Sequence, residues 1–306
     1  MLVPPVELAL ARPQRRVPAA GPGWRFEPKF DGWRALLFTA SGFVQSRRDN
    51  DLAARFPEIV AAGRGLGDLV LDGELVALRE GRLDFSALTS APRSRAGAGV
   101  AVYFVVFDIL ADADRDWRPR PYLDRRRRLT DVMAAIDPPL QLMPATDDRA
   151  AAIRRWMDPA GARIGIEGVV VKAADRPYRA GRTGDWVKVR HTAVLDAVVI
   201  GVTGRPSRPE EVVLARRDDD GGLRGIGLSL PLPTPLRDEV GRHVAVTGER
   251  AELASGGGFG RSRTEYLPVH PTLVVEVEAE ASAEFFTNRL RPAVRRLRVD
   301  MTVEDV

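Results

Sequence analysis

The sequence predicts an α+β protein of two domains, and three observations carry that expectation. Over the first 191 residues, short β-branched or aromatic runs alternate with helical patterns. From Thr192 onward strand-like runs follow one another between glycine, proline and acidic turns, with room for a single helix. The length of 306 residues also exceeds what one hydrophobic core usually fills. The boundary is therefore placed near residue 191, giving domains 1–191 and 192–306, and the second reads as a small β-barrel.

In order along the chain, WRALLFT, LVLDGELVAL, VYFVVFDIL and IEGVVVK are bounded by glycine or charged turns and read as strands. Between them, LAARFPEIVAAG after Asn50, YLDRRRRLTDVMAAI and DDRAAAIRRWM carry helical periodicity. The run Arg125–Arg128 suits the solvated face of the second of these helices. Beyond residue 191, LDAVVIGVT, EEVVLARR, LRGIGLSL and TLVVEVEA read as strands. TPLRDEVGRHV reads as a helix with Thr234 as its cap and Pro235 at the first helical position. ASGGGFGRSR is expected to be a mobile loop, and no internal repeat is visible.

Composition narrows the chemistry. The chain has 44% hydrophobic and 29% charged residues, as globular proteins do. Zero cysteines exclude disulfides, thiolate metal sites and cysteine nucleophiles. Three histidines make a zinc site built mainly from histidine a poor expectation. The longest apolar run, VAVYFVVFDIL, is too short to span a bilayer, and no basic-then-apolar leader opens the chain, so a soluble, intracellular protein is expected. Residues 1–191 carry a net charge of +7 and residues 192–306 one of −3. The basic first part suits a polyanion such as nucleic acid, although solvated arginines account for such a surplus equally well.

The basic residues hold a sharper signal. Of 46 Lys+Arg, only Lys29, Lys172 and Lys188 are lysine. Arginine serves wherever a fixed charge or a fork is needed, but it cannot lose its proton and attack. Freeing an ordinary lysine of its proton at pH 7 costs roughly 4–5 kcal/mol, so a nucleophilic lysine needs cations, a metal or desolvation nearby. Attack at phosphorus also needs cations to gather the transition-state charge. Arg34, Arg47, Asp72, Glu74, Asp108, Glu167, Lys172, Lys188 and Arg190 lie at or near strand ends and supply both kinds of group.

These residues carry a resemblance. EPKFDGWR, residues 27–34, resembles the first motif of the covalent nucleotidyltransferases, the superfamily of ATP-dependent DNA ligases, RNA ligases and capping enzymes. SRR at 46–48, LDGELVAL, VVFDIL, IEGVVVK, DWVKVR and RRLRVD resemble the later motifs in order, over almost the whole chain. The wording and two-part layout are most similar to bacterial ATP-dependent DNA ligases of the end-joining and repair type. The resemblance implies a nucleotidyltransferase (ATP-grasp-like) domain with antiparallel sheets and flanking helices, followed by an OB-fold barrel.

It also implies roles. Lys29 would form a phosphoramidate with AMP, with Lys188 and Arg190 on the α-phosphate. Glu74 would bind the ribose, Arg34 ribose or phosphate, and Phe107 would stack on the base. Phe107 sits in so apolar a strand that a core role suits it as well. Glu167, Asp31 and Asp108 would serve Mg²⁺ or Mn²⁺. Arg47, with Arg48 beside it, would meet the 5′-phosphate of nicked duplex DNA. Arg298 and Asp300 match the last motif, where Met301 replaces the usual lysine and Arg289 or Arg291 could supply a cation.

Glu27 favours ATP over GTP, since its carboxylate accepts from the adenine amine and repels guanine O6. Lys172 lies five residues from Glu167, so an unbroken strand would turn the two apart, and a bulge at Gly168 would reconcile them. A monomer is expected, with a Ku-type end-joining protein as partner. The rival readings are an RNA ligase using the same first step and an inactive DNA-binding module.

Overall fold

The computed structural model describes residues 2–19, 23–113, 115–158, 161, 164–218, 220–256, 261–280 and 291–306. The chain divides into two compact units, Met1–His191 and Thr192–Val306. Through the first run β1 (Arg12–Pro13), β2 (Trp24–Phe30), β3 (Trp33–Phe38), β4 (Phe43–Ser46), α1 (Pro57–Gly63), β5 (Leu69–Arg79), β6 (Arg82–Leu83) and α2 (Pro92–Gly97). Then follow β7 (Ala101–Asp112), β8 (Arg115–Asp116), α3 (Tyr122–Met133), β9 (Leu140–Leu142), α4 (Arg149–Trp156), β10 (Ile166–Ala173) and β11 (Trp186–Arg190). Two sheets result. One runs β4-β3-β5-β7-β8, with β6 on β5 and β9 on β7; the other runs β1-β11-β10-β2.

Alternation along β2, β10 and β11 sorts the smaller sheet into two faces. Phe26, Val169, Val171, Val187 and Val189 pack with Ala152 and Trp156 of α4. Asp148 caps that helix, accepting from the amides of Ala150 (2.8 Å) and Ala151 (3.0 Å). The residues between them, Glu27, Lys29, Lys172, Lys188 and Arg190, share the opposite face. Pro28 interrupts no ladder because β2 is an edge strand. Leu36, Phe38, Val70, Val76, Val105 and Phe107 of the larger sheet meet Trp186 and Tyr178 in one core. The other face of the larger sheet packs on Ile59 of α1 and on Leu129 and Met133 of α3.

Helix α3 corrects one expectation. Arg127 is exposed as the charge run suggests, but Arg125 is fully buried. It lies on the inward face with Tyr122, Leu129 and Met133, where Asp108 of β7 takes its guanidinium in a fork.

The second unit holds β12 (Thr192–Arg205), β13 (Arg208–Arg217), β14 (Leu223–Leu228), α5 (Thr234–His243), β15 (Ala251–Gly256), β16 (Arg261–Glu280) and β17 (Ala293–Leu297). The strands pair antiparallel in the order β14-β13-β12-β16-β15, with β17 on β16. Its core gathers Ala197, Val199, Val212, Leu214, Val275 and Val277 with Leu236 and Val240 of α5. Thr234 is the first helical residue and not the cap: Pro233 occupies that position, and no side chain caps the helix. The stretch 254–263, expected as a mobile loop, contains the end of β15 and the start of β16, while residues 257–260 lie outside the described residues.

Candidate active site

EPKFDGWR straddles the two sheets of the first unit. Its lysine is the penultimate residue of β2 in the smaller sheet and its arginine the second residue of β3 in the larger one, with Asp31 and Gly32 turning between the strands. The turn passes so close to β5 that a Cβ on Gly32 would stand 2.2 Å from the Leu75 carbonyl oxygen and 2.7 Å from Glu74 Cγ. Glycine at this position brings Glu74 beside the lysine strand.

Lys29 stands opposite Gly168, which stands opposite Arg190. The register of β10 shifts between Ile166 and Gly168, so Glu167 is the extra residue of a bulge. Gly168 permits this with φ +141°; a Cβ there would lie 2.1 Å from Val189 O. The Glu167 carboxylate consequently meets Lys29 Nζ in an ion pair and lies 3.8 Å from Arg190 Nε. Lys188 is half-buried one alternation away on the same face. The bulge also settles Lys172, since Glu167 and Lys172 both reach the face that the parity of a regular strand denies to one of them.

Deeper in, Lys172 Nζ donates to Glu27 Oε2 (2.8 Å) and to the Phe107 carbonyl (3.3 Å), and lies 4.2 Å from the ring centroids of both Phe107 and Trp186. Burial pushes the pKa of Lys172 down, and Glu27 pulls it back up. The Tyr122 hydroxyl donates to Glu27 Oε1 at 2.5 Å, so each oxygen of this buried carboxylate accepts one bond. From the larger sheet, Arg34 forks onto Asp72, with Nη2 at 2.6 Å from Oδ2, and its guanidinium lies 4.4 Å from the Phe107 ring centroid. Tyr178 donates to the same Asp72 at 2.7 Å.

Glu74 is half-buried among these groups, and its pKa is pushed up to about 7. Desolvation drives the rise. Lys29, Arg34 and Lys188 oppose it, and Asp72 adds to it.

The acids expected to hold a metal have different partners. Asp108 stands across from Asp72, and both its oxygens are spent on Arg125 at 2.8 and 2.9 Å. That buried ion pair already engages the carboxylate, and a metal-ligand role for Asp108 would compete with Arg125 for it. Asp31 is half-buried at the turn beside Lys29. Among the described residues, no three Asp, Glu or His side chains form a metal-holding group by themselves.

The profile of the ATP dependent DNA ligase domain matches residues 9–190. DNA ligase C2 of Mycolicibacterium smegmatis is 34% identical over 251 residues, 77% of this chain and 69% of the relative. DNA ligase C of Mycobacterium tuberculosis is 32% identical over 335 residues, covering 95% and 91%. The chain belongs to the ATP-dependent DNA ligase family. Among solved structures, the ligase domain of M. tuberculosis LigD is similar to this ligase with a TM-score of 0.56 and 27% identity, over 98% of this chain and 97% of that one. A mycobacterial DNA ligase D complexed with ATP and MES gives 0.55 and 26% with the same coverage.

In this ligase Arg47 and Arg48 stand apart from the lysine cluster, exposed on the turn after β4. Asp49 takes the positive-φ position of that turn (φ 61°), which its short polar side chain tolerates. In the second unit, Arg298 forks onto Asp300 and donates to Asp196 at 2.8 Å. Asp300 is held down to about 2, chiefly by its bond from Arg298. Arg291 pairs with Glu211 at 2.6 Å, and Arg289 lies outside the described residues. Tyr122, Tyr178, Trp186 and Arg125 were missed as members of the site. Only Trp186 had a visible signal, two residues before Lys188 and so on the same face of its strand.

Proposed function

We propose that this ligase seals nicks in duplex DNA through three displacements at phosphorus. In the first, the neutral Lys29 amine attacks the α-phosphate of ATP; an N–P bond forms, the bond to the β-phosphate breaks, and pyrophosphate leaves. In the second, the nick's 5′-phosphate oxygen attacks the AMP phosphorus, and the N–P bond breaks as the lysine regains its proton. In the third, the 3′-hydroxyl gives up a proton and attacks the 5′-phosphate, and AMP departs.

The observation that carries this reading is the shared face of β2, β10 and β11. It sets one lysine against a carboxylate displaced by a bulge, with Lys188 and Arg190 alongside. Fixed cations on that face suit the growing charge of an in-line displacement. Glu74 serves the ribose. Glu27 reads adenine: each carboxylate oxygen has a second lone pair beyond the bonds from Tyr122 and Lys172, and the adenine amine can only donate. Phe107 and Arg34 form the wall beside the base, and Arg47 meets the nick's 5′-phosphate.

A Mg²⁺ or Mn²⁺ ion fits the donor chemistry, because Mg²⁺ takes one or two carboxylates and completes its shell with phosphate oxygens and water. Glu167 and Asp31 would hold it, and it would supply neutralising charge at the phosphates. Residues 1–191 serve as the adenylation domain. The antiparallel strands and the single α-helix among the described residues of 192–306 support an OB-fold. The multifunctional non-homologous end joining protein LigD of Pseudomonas aeruginosa is 33% identical over 260 residues, 83% of this chain and 29% of that one. That likeness supports work in DNA repair, and we propose a Ku-type end-joining partner and a monomeric chain.

The test is incubation with labelled ATP or GTP, peptide mapping, then chase onto nicked DNA or nicked RNA. AMP on the Lys29 peptide that discharges into sealed DNA is expected. Equal labelling by GTP, or sealing confined to RNA, would overturn the proposal.

A further inference from the structure

The amide side chain of Gln45 is fully buried and spends three bonds on two separate segments. Its Oε1 accepts from Val6 N at 2.9 Å, and its Nε2 donates to Val6 O at 2.8 Å. The same Nε2 donates to Asp49 Oδ1 at 2.8 Å. Both ends of the amide thus grip the backbone of the N-terminal segment at Val6, and the second N–H of Nε2 grips the turn that displays Arg47.

That turn is tightly specified. Ser46 Oγ accepts from the amides of Arg48 (3.3 Å) and Asn50 (3.0 Å), and Ser46 O accepts from Asp49 N at 3.0 Å. Asp49 is its left-handed residue, and its carboxylate oxygen is the point where the buried amide takes hold. The N-terminal segment is anchored in turn on the site. Ala9 N donates to Tyr178 Oη at 3.1 Å, Arg34 donates to Ala9 O at 3.3 Å, and Tyr178 and Arg34 both bind Asp72.

We infer that Gln45 and Asp49 are positioning residues that fix the Arg47 turn for the 5′-phosphate of the nick, through a bridge from the N-terminal segment to the turn. The inference rests on the role proposed for Arg47. Neither residue touches the Lys29 cluster, so Lys29-AMP formation does not depend on them. Transfer of AMP to DNA does, because a displaced arginine fork loses its aim on phosphate.

The full chain is compared with Asp49→Gly, Asp49→Asn, Gln45→Met, Arg47→Ala and the double variant Asp49→Gly/Arg47→Ala, reading Lys29-AMP formation and single-turnover transfer separately. Asp49→Gly keeps the backbone conformation and removes the anchor at an exposed position, so folding is not at stake. It is expected to slow transfer about tenfold with adenylation unchanged. Asp49→Asn, which still accepts from Gln45 and tolerates the left-handed conformation, should restore most of the loss, and the double variant should be no slower than Arg47→Ala. Additive losses in the double variant, or normal transfer by Asp49→Gly beside a defective Arg47→Ala, would overturn the inference. Normal transfer by Arg47→Ala would instead overturn the role of Arg47 itself. Gln45→Met repeats the Asp49→Gly test from the buried end, and intact transfer in a folded protein would count against the bridge.

Discussion

Replacing Glu74 by glutamine isolates the cost of placing a carboxylate in this site. Native Glu74 keeps its proton up to about 7, against an ordinary value of 4.5. The native state therefore binds more protons than the unfolded chain across that interval, and stability falls as pH rises through it. Over the whole interval the effect would reach about 3 kcal/mol at roughly 1.4 kcal/mol per pH decade. Glu74 is only half-buried, and solvent screening leaves about 1–2 kcal/mol. Glutamine keeps the shape and cannot titrate. Between pH 5 and pH 8 the wild type should thus lose about 1–2 kcal/mol relative to Glu74→Gln.

The tryptophans allow this to be read from one unit alone. All five (Trp24, Trp33, Trp117, Trp156 and Trp186) lie before residue 192, so fluorescence during urea unfolding reports only the first unit. Titrating groups that do not interact with Glu74 are common to both proteins and cancel in the difference. A difference constant with pH to within about 0.5 kcal/mol, or one moving in the wild type's favour, would refute the desolvation argument.

Asp108→Asn should destabilise the first unit by about 3–5 kcal/mol, because it strands the buried Arg125 charge; an unchanged urea midpoint with an altered Mg²⁺ requirement would instead support a metal role for Asp108. Lys29→Arg keeps a cation beside Glu167 and should leave the urea midpoint within about 0.5 kcal/mol while abolishing AMP labelling; labelled protein in that variant would remove Lys29 as nucleophile. Nick joining should fall at least about tenfold between 50 and 200 mM salt as counterions return to DNA phosphates vacated by the basic first unit, and a flat response would count against phosphate-led binding.

The sequence was legible where one residue type determines the chemistry. A lone lysine in EPKFDGWR and an ordered set of motifs sufficed to point to the family that the comparisons show. It was illegible where partners come from distant elements. Nothing in YLDRRRRL distinguishes Arg125 from its neighbours until β7 places Asp108 beneath it. Likewise, nothing in the sequence marks Tyr122 and Tyr178, because their hydroxyls find Glu27 and Asp72 at separations of 95 and 106 residues. The strands holding Lys29 and Lys188 were also not recognised, since EPKF contains a proline and WVKVR is only five residues long.

Buried cations in this fold show why an arginine-rich chain keeps a lysine at 172. Arg125 is fully buried and finds acceptors on all three of its nitrogens: Asp108 twice, the Arg120 carbonyl at 2.6 Å and the Arg176 carbonyl at 3.2 Å. Arg95, almost as buried, reaches the Ser90 and Arg55 carbonyls and Glu58. Lys172 has Glu27 and one carbonyl, and otherwise faces the rings of Phe107, Trp186 and Tyr122. Ring faces attract a compact ammonium but cannot satisfy five N–H groups, and a buried donor left unmet costs about 1–3 kcal/mol. Both arginines also lie over rings, so what separates the positions is the number of acceptors: arginine stands where acceptors crowd, and Lys172 where few accompany the aromatic faces. Lys172 has too few acceptors around it for a guanidinium, whereas Lys29, in the role proposed for it, makes the attack that guanidinium cannot.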